Sequence, residues 1–304
     1  MKKKYWKCGI LAAVLLCILF GCGKQNHSEE DEKAEKAEEL IIVDGNSEDT
    51  EQTEEPPEIP EPAVLEDLGG QLETVLLQAQ LGGAAAVYVE NLTTEDYVSI
   101  SNQQMQSASL IKLFIAGCVY EHLGEVQAQE SYEGETEELM RVMITVSDND
   151  AANTLTTRLG QGDAAAGRAE VNQFCQNHGY AETYMGRMLL DFTAAEDNYT
   201  SADDCGSFMK AIYRQELAGS ESILAYMKQQ ERTGKLPAGV PEGVMTANKT
   251  GELTDVENDA AIVFTDTGAY SICVMMSGLP DAAAGRSVIR ELSSVTYQYM
   301  VGGN

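Results

Sequence analysis

Apolar positions follow helical or alternating spacing from about residue 64 onward, and nowhere before it. The segment 64–80, "VLEDLGGQLETVLLQAQ", repeats its apolar residues with a helical period, and "AAAVYVENL" (84–92) and "DYVSIS" (96–101) alternate as two strands of a hairpin joined by "TTE". Helical spacing then dominates the middle of the chain. It covers 110–122, 135–145, 150–159, 167–178, 201–215 and 222–230, with Thr200 and Ser201 placed as caps before the fifth of these. Strand patterns return in "AAIVFTD" (260–266), "GAY" (268–270) and "SICVMMSG" (271–278), and a helix over 285–300 closes the chain. Strands at both ends with helices between them predict an α/β fold. Its antiparallel sheet is built from the two chain ends and flanked by helices, and the middle of the chain supplies an all-helical subdomain. No repeat of 20–50 residues interrupts this order.

The first 62 residues have a different character. Lys2, Lys3, Lys4 and Lys7 precede an apolar run, Ile10 to Phe20, which ends in "LFGC". That order predicts a secretory signal over 1–22 with a lipobox-like end, and Cys22 as a lipidated N-terminus anchoring the chain to the membrane. An uncleaved anchor would equally place the rest of the chain outside the cytoplasm, at the outer face of the cell membrane. Residues 23–62 are rich in Glu, Asp, Lys, Ser and Pro, with 40–43 as the one apolar interruption. Such a segment cannot bury enough surface to offset its ordering entropy and is expected to be a disordered acidic linker. Residues 63–304 then form the folded domain, expected to act as a monomer. A formal net charge of −29 excludes nucleic acid as a natural partner.

Within the domain, Lys112 stands in an otherwise apolar run, "SASLIKLFIAGCVYEHL" (107–123). A buried ammonium must find partners or lose its proton, and losing it makes a base. Ser109 lies three residues earlier, on the same face if the run is helical. Taken alone, the pair is equally an N-capping serine and a snorkelling lysine. Two further motifs change that reading. Ser147, Asp148 and Asn149 follow a helical segment, and Lys249, Thr250 and Gly251 lie beside a strand signal. S-x-x-K, S-D-N and K-T-G in this order form the signature set of penicilloyl serine transferases.

The chain resembles the class A β-lactamases, and the resemblance extends beyond the motifs. "ASLIK" (108–112), "SDNDAANTL" (147–155), "YTSADD" (199–204) and "RTGKLPAGVPEGVMTANKTG" (232–251) follow that family's layout over most of 64–304. The resemblance implies a serine hydrolase in which Ser109 is the nucleophile and Lys112, with Lys249 nearby to keep it neutral, accepts its proton. Ser147 would relay a proton to the leaving nitrogen, and Asn149 would hold the substrate's side-chain amide. Lys249 and Thr250 would bind its carboxylate. The backbone N–H groups of Ser109 and of Glu252, the residue after Gly251, would form the oxyanion hole. No cofactor or metal is required. Other chemistries lack their parts: His27, His122 and His178 sit in the linker and at helix ends, and no G-x-S-x-G elbow appears. Cys118, Cys175, Cys205 and Cys273 have apolar neighbours and no metal-ligand spacing, so they read mostly as small core residues, and a disulfide among them stays open because sequence does not give pairing.

One departure divides the functional readings. Following the chain without gaps from "EVNQFCQNHGY" (170–180), Arg187 falls on the family's loop arginine, with Asp197 available to pair with it, and Leu189 falls on the glutamate that activates the deacylating water. Leucine cannot do this. Asp191 is the nearest carboxylate and the candidate substitute; Glu182 and Glu196 are farther away. Three readings follow: a slow β-lactam hydrolase, a penicillin-binding or D-alanyl-peptidase-like protein acting on peptidoglycan-like peptides, or a non-turnover cell-wall sensor. No arginine follows the K-T-G motif closely, and "GELTDVENDAAIV" predicts a negatively charged pocket mouth; Arg286 or Arg290 of the last helix are candidates to reach in, though sequence does not place them.

Overall fold

The computed structural model describes residues 62–302. The signal segment, Cys22 and all of the linker except Pro62 lie outside them. Helix α1 (Glu66–Ala79) precedes β1 (Ala84–Asn91), β2 (Tyr97–Ile100) and the two-residue β3 (Met105–Gln106). A 3-10 turn, Ala108–Leu110, leads into α2 (Ile111–Glu121), followed by α3 (Leu123–Gln127), α4 (Glu135–Thr145), α5 (Asn149–Leu159) and α6 (Ala164–Asn177). After β4 (Tyr184–Met185) and β5 (Asn198–Thr200) come α7 (Ala202–Tyr213) and α8 (Ser220–Met227), then β6 (Thr246–Leu253), β7 (Val256–Thr265), β8 (Gly268–Ser277) and α9 (Ala282–Gly302).

The chain ends meet in one antiparallel sheet of order β2-β1-β8-β7-β6, as the order of patterns predicts. Its alternation separates two cores. On one face Val87 and Val89 of β1 stand beside Val274 and Ile272 of β8 and pack with Leu68 and Leu72 of α1 and Ile289 and Leu292 of α9. On the other face Ala86, Tyr88, Cys273 and Met275 join the helical region through α2, α5, α6 and α7. Helix α2 is buried from Ile111 through Tyr120, including Lys112. A helix apolar on all sides belongs at the centre of such a domain. Its Gly117 is required there: a Cβ would lie 2.5 Å from the Phe174 ring. The four domain cysteines are buried and free, as their apolar surroundings suggest.

The structure departs from the sequence expectations in several places, α3 and the inclusion of Lys249, Thr250 and Gly251 within β6 among them. The small sheet β3-β5-β4 was not foreseen, because strands of two or three residues carry no periodic signal. Strand β7 begins at Val256, since Glu257, Asn258 and Asp259 are buried inside it despite their polarity. "GAY" and "SICVMMSG" form a single strand. Ser109 does not cap α2: it lies within the 3-10 turn, and no side chain caps the helix N-terminus.

Candidate active site

The three motifs converge where the start of α2, the loop between α4 and α5, and the sheet-edge strand β6 meet. Ser109 occupies the 3-10 turn, held by Asn258 of β7, whose Nδ2 donates to the carbonyl oxygens of Gln106 (2.9 Å) and Ser107 (3.2 Å). Gly251 lets β6 come this close. A Cβ there would lie 2.7 Å from the Ser107 oxygen and 3.2 Å from the Ser109 nitrogen. The next residue, Glu252, lines a cavity of about 120 Å³ together with Ser109 and Asn149.

Beneath Ser109, Lys112 is fully buried. Its Nζ lies within hydrogen-bond distance of Ser109 Oγ (3.2 Å), Ser147 O (2.6 Å) and Oγ (3.1 Å), and Asn149 Oδ1 (2.7 Å), one more contact than an ammonium has N–H groups. Lys249 Nζ donates to Ser147 Oγ (2.8 Å) and to the Thr250 carbonyl (2.9 Å). Ser147 thus sits between two amines, with its backbone at φ +64°, a left-handed conformation costly for a non-glycine residue. The strain is held by Asp148, whose side chain caps α5 by accepting from Ala151 N (2.8 Å).

Burial pushes the Lys112 ammonium down to about 7; the Asp148 charge opposes this and the Arg232 charge assists it. Lys249 is pushed well below its ordinary value by burial first, then by the charges of Lys112 and Arg232. The like-charge effect expected between the two lysines therefore acts on Lys249, and on Lys112 the cation that lowers the pKa is Arg232. Both lysines, Ser109, Ser147 and Asn149 are brought together as the motifs predict.

The expectation of an acidic mouth needs correction. Glu252 pairs with Lys235 (3.1 Å) and Arg232 (3.4 Å), and Glu257 pairs with Lys235 (2.8 Å) and Arg286. Against the upward push of burial, Lys235 and Arg232 hold the Glu252 carboxyl below its ordinary value. Asp259 is wholly buried, accepting from Leu236 N (3.0 Å) and Asn248 Nδ2 (3.0 Å). Burial raises it to about 7 despite Lys235. Arg286 is thereby committed to Glu257, and Arg290 donates to Gly234 O (3.1 Å) and Ser287 Oγ (2.8 Å), so neither enters the cavity. Arg232, half-exposed, reaches Glu252 from a segment ahead of β6, and the arginine that lines the cavity is Arg187.

The loop after β4 forms the opposite wall. Arg187 pairs with Asp197 (2.6 Å) as expected. Asn153 of α5 brackets Leu189: its Oδ1 accepts from Leu189 N (2.8 Å) and its Nδ2 donates to Leu189 O (3.0 Å). Leu189 lines the cavity with Ser109. Asp191 does not. It lines the neighbouring hollow with Glu196 and Asp197, is exposed, and accepts from Thr193 N (3.1 Å) and Oγ1 (2.7 Å). The Thr193 bonds hold its carboxyl below its usual value. The candidate substitute base is thus turned away by a local Asp–Thr turn, and the one carboxylate lining the cavity among the described residues is the ion-paired Glu252. Sequence reasoning missed Arg232, Lys235, Asn153 and Asn258. Their only signal was two cations and two amides in polar stretches, with no spacing to tie them to the motifs.

The sequence matches the family model described as the beta-lactamase enzyme family over residues 127–300, which includes S-D-N and K-T-G and begins after Ser109 and Lys112. The chain belongs to the β-lactamase enzyme family. Among similar solved structures, PBP-A is 27% identical at a TM-score of 0.70, covering 80% of this chain and 99% of its own. A leucine-to-glutamate mutant of PBP-A, an acyl-enzyme complex with penicillin G, is 26% identical with a TM-score of 0.70 over 80% of this chain and 100% of that one. A β-lactamase from Sphaerobacter thermophilus shares the fold at 20% identity and a TM-score of 0.66, over 77% of this chain and 98% of its own. No curated protein matches the chain. As a β-lactamase family member, the chain is a serine β-lactamase-like hydrolase.

Proposed function

We propose that this hydrolase forms an acyl-enzyme on Ser109 with β-lactams or related amides of peptidoglycan-peptide type, and that it releases the acyl group slowly. The observation that carries this reading is the buried Lys112 amine, within hydrogen-bond distance (3.2 Å) of Ser109 Oγ, with Ser109 itself on a cavity whose wall presents Leu189. The amine in its neutral form accepts the Ser109 proton as Oγ attacks the substrate carbonyl carbon. Negative charge grows on the carbonyl oxygen, where the N–H groups of Ser109 and Glu252 would receive it. As the carbon–nitrogen bond breaks, Ser147 passes its proton to the leaving nitrogen and is resupplied by the amines at 2.8 and 3.1 Å. Asn149 holds the acyl amide. Lys249, Thr250 and Arg232 attract the substrate carboxylate.

Deacylation needs a water and a base. Lys112 is the free base nearest Ser109; Glu252 is neutralised by its ion pairs, and Asp191 faces the other hollow. That favours the penicillin-binding reading over efficient antibiotic hydrolysis, and the likeness to PBP-A supports the same side. The localisation belongs to the same proposal: a lipid on Cys22 and the acidic linker 23–62 hold the domain at the outer face of the membrane, near cell-wall substrates. The test is intact mass after mixing with a penicillin. The wild-type chain should gain the mass of the drug and keep it for many minutes, and Ser109→Ala should gain none. Labelling of Ser109→Ala at wild-type yield would remove Ser109 as the nucleophile.

A further inference from the structure

The peptide that carries the Glu252 N–H is held at its other end by a cation that the acyl-transfer steps leave unused. Lys235, 2% exposed, stands just before the 3-10 turn Leu236–Gly239. Its Nζ donates to the carbonyl oxygens of Asn258 (2.9 Å) and Gly251 (3.3 Å) and forms ion pairs with Glu257 (2.8 Å) and Glu252 (3.1 Å). These four residues are two successive register pairs of β6 and β7, Gly251 with Asn258 and Glu252 with Glu257. One ammonium thus ties both strands together at the point where the sheet edge meets Ser109. The lysine is itself fixed through its neighbour. Leu236, fully buried, donates its N–H to Asp259 Oδ2 (3.0 Å), and its carbonyl accepts from Ser293 Oγ of α9 (2.7 Å).

A trans peptide sets its C=O and N–H in opposite directions. With the Gly251 carbonyl turned to Lys235, the N–H of Glu252 is turned to the opposite side of β6. That strand is the outer one of the sheet, and Ser109 and Glu252 line one cavity beside it. The ammonium also polarises the peptide, because hydrogen-bonded groups in series strengthen one another where the dielectric is low, and the N–H becomes a better donor. The same register pair reaches the second donor. Asn258 holds the Gln106 and Ser107 carbonyls ahead of Ser109, while its Oδ1 accepts from Met276 N of β8 (3.1 Å). We propose that Lys235 is a positioning residue: it aims and polarises the Gly251–Glu252 peptide so that the Glu252 N–H meets the oxyanion. This inference rests on the acyl-enzyme reading above and assigns the buried cation to that same site. Lys235 acts through the peptide and not by binding the donor's carboxylate.

The test uses the full-length chain and a penicillin isotopically labelled at its lactam carbonyl. The rate of Ser109 acylation is read by intact mass, and the ester carbonyl stretch of the penicilloyl enzyme by infrared difference spectroscopy. A carbonyl seated in strong hydrogen bonds absorbs at lower wavenumber than a free one. Removing the lysine alone would strand Glu257, 2% exposed, so Lys235→Met is combined with Glu257→Gln and compared with Glu257→Gln by itself. The double variant should acylate at least about tenfold more slowly, less than the roughly 10²–10³-fold lost when an oxyanion donor is removed outright. Its ester band should move to higher wavenumber. Only acylated molecules contribute to that band, so unfolded protein drops out of it. If the double variant does not fold, Lys235→Gln, whose amide still pairs with Glu257, is read in the same way against the wild type. Slower acylation with an unmoved band would make Lys235 a donor-binding group, and an unmoved rate and band would leave it a tie between strands. Either result would overturn this proposal while leaving Ser109 acylation in place. Absence of labelling in the wild type would overturn the acyl-enzyme reading, and this inference with it.

Discussion

Restoring a carboxylate at Leu189 tests the account of slow turnover directly. Leu189 is 8% exposed and lines the cavity with Ser109, and its backbone is held on both sides by Asn153. Leu189→Glu therefore changes the side chain at a point whose main chain is already tied to α5. The cost is the lost apolar burial, about 2 kcal/mol, plus partial desolvation of the new carboxyl, for a total of about 2–4 kcal/mol. For a domain of this size that corresponds to a fall in melting temperature of roughly 5–15 °C. The gain is a general base beside the ester carbonyl, and such bases contribute about 10²–10⁴-fold. The half-life of the penicilloyl enzyme, followed by intact mass, should shorten at least about a hundredfold in Leu189→Glu. In Asp191→Asn it should stay within about twofold of wild type, because that carboxylate faces the adjoining hollow and is engaged by Thr193. A folded Leu189→Glu protein with an unchanged half-life would refute the view that a missing base on this wall limits release. A marked slowing in Asp191→Asn would refute the placement of the loop.

Further outcomes follow from the charges and the chain end. Lys112 is pushed down to about 7 by burial and acts in its neutral form, which grows as pH rises. The acylation rate should therefore climb about tenfold per pH unit below 7 and level off above it, and Lys112→Arg, cationic throughout, should lose at least about 10² in rate. Asp197→Asn removes a charged hydrogen bond to Arg187 and should cost about 1–3 kcal/mol, measured by urea denaturation. Burial pushes the Asp197 carboxyl up, but the Arg187 bond prevails and leaves it below its unfolded value. The wild-type advantage should accordingly be complete at neutral pH and fade as the pH drops through and below the ordinary carboxylate range. Cys22→Ser should move the protein from the membrane fraction to the soluble one and abolish incorporation of labelled fatty acid; retention at the membrane with undiminished labelling would refute lipidation at Cys22.

The amino-acid order alone determined the sheet built from both chain ends and the identity of the chemical groups. Ser109 and Lys112 were legible because a nucleophile and its base can share one helical turn, and an ammonium in an apolar run announces an unusual environment. S-D-N and K-T-G were legible because each is contiguous. Leu189 could be read as a departure from the family because the chain reaches it without gaps from α6. What joins these pieces is non-local: the Lys112–Ser147 and Lys249–Ser147 contacts span 35 and 102 residues, and only packing of α2, α5 and β6 closes them. The same holds for charge. The sequence after Lys249 reads as acidic, yet Arg232, Lys235 and Arg286 neutralise Glu252 and Glu257 across neighbouring elements. Asp191 illustrates the limit most plainly. Its distance along the chain from Leu189 is two residues, but a turn closed by Thr193 points it elsewhere. Local spacing specifies which groups are available. Their protonation and direction depend on burial and on partners brought from far along the chain, so the tertiary structure decided them.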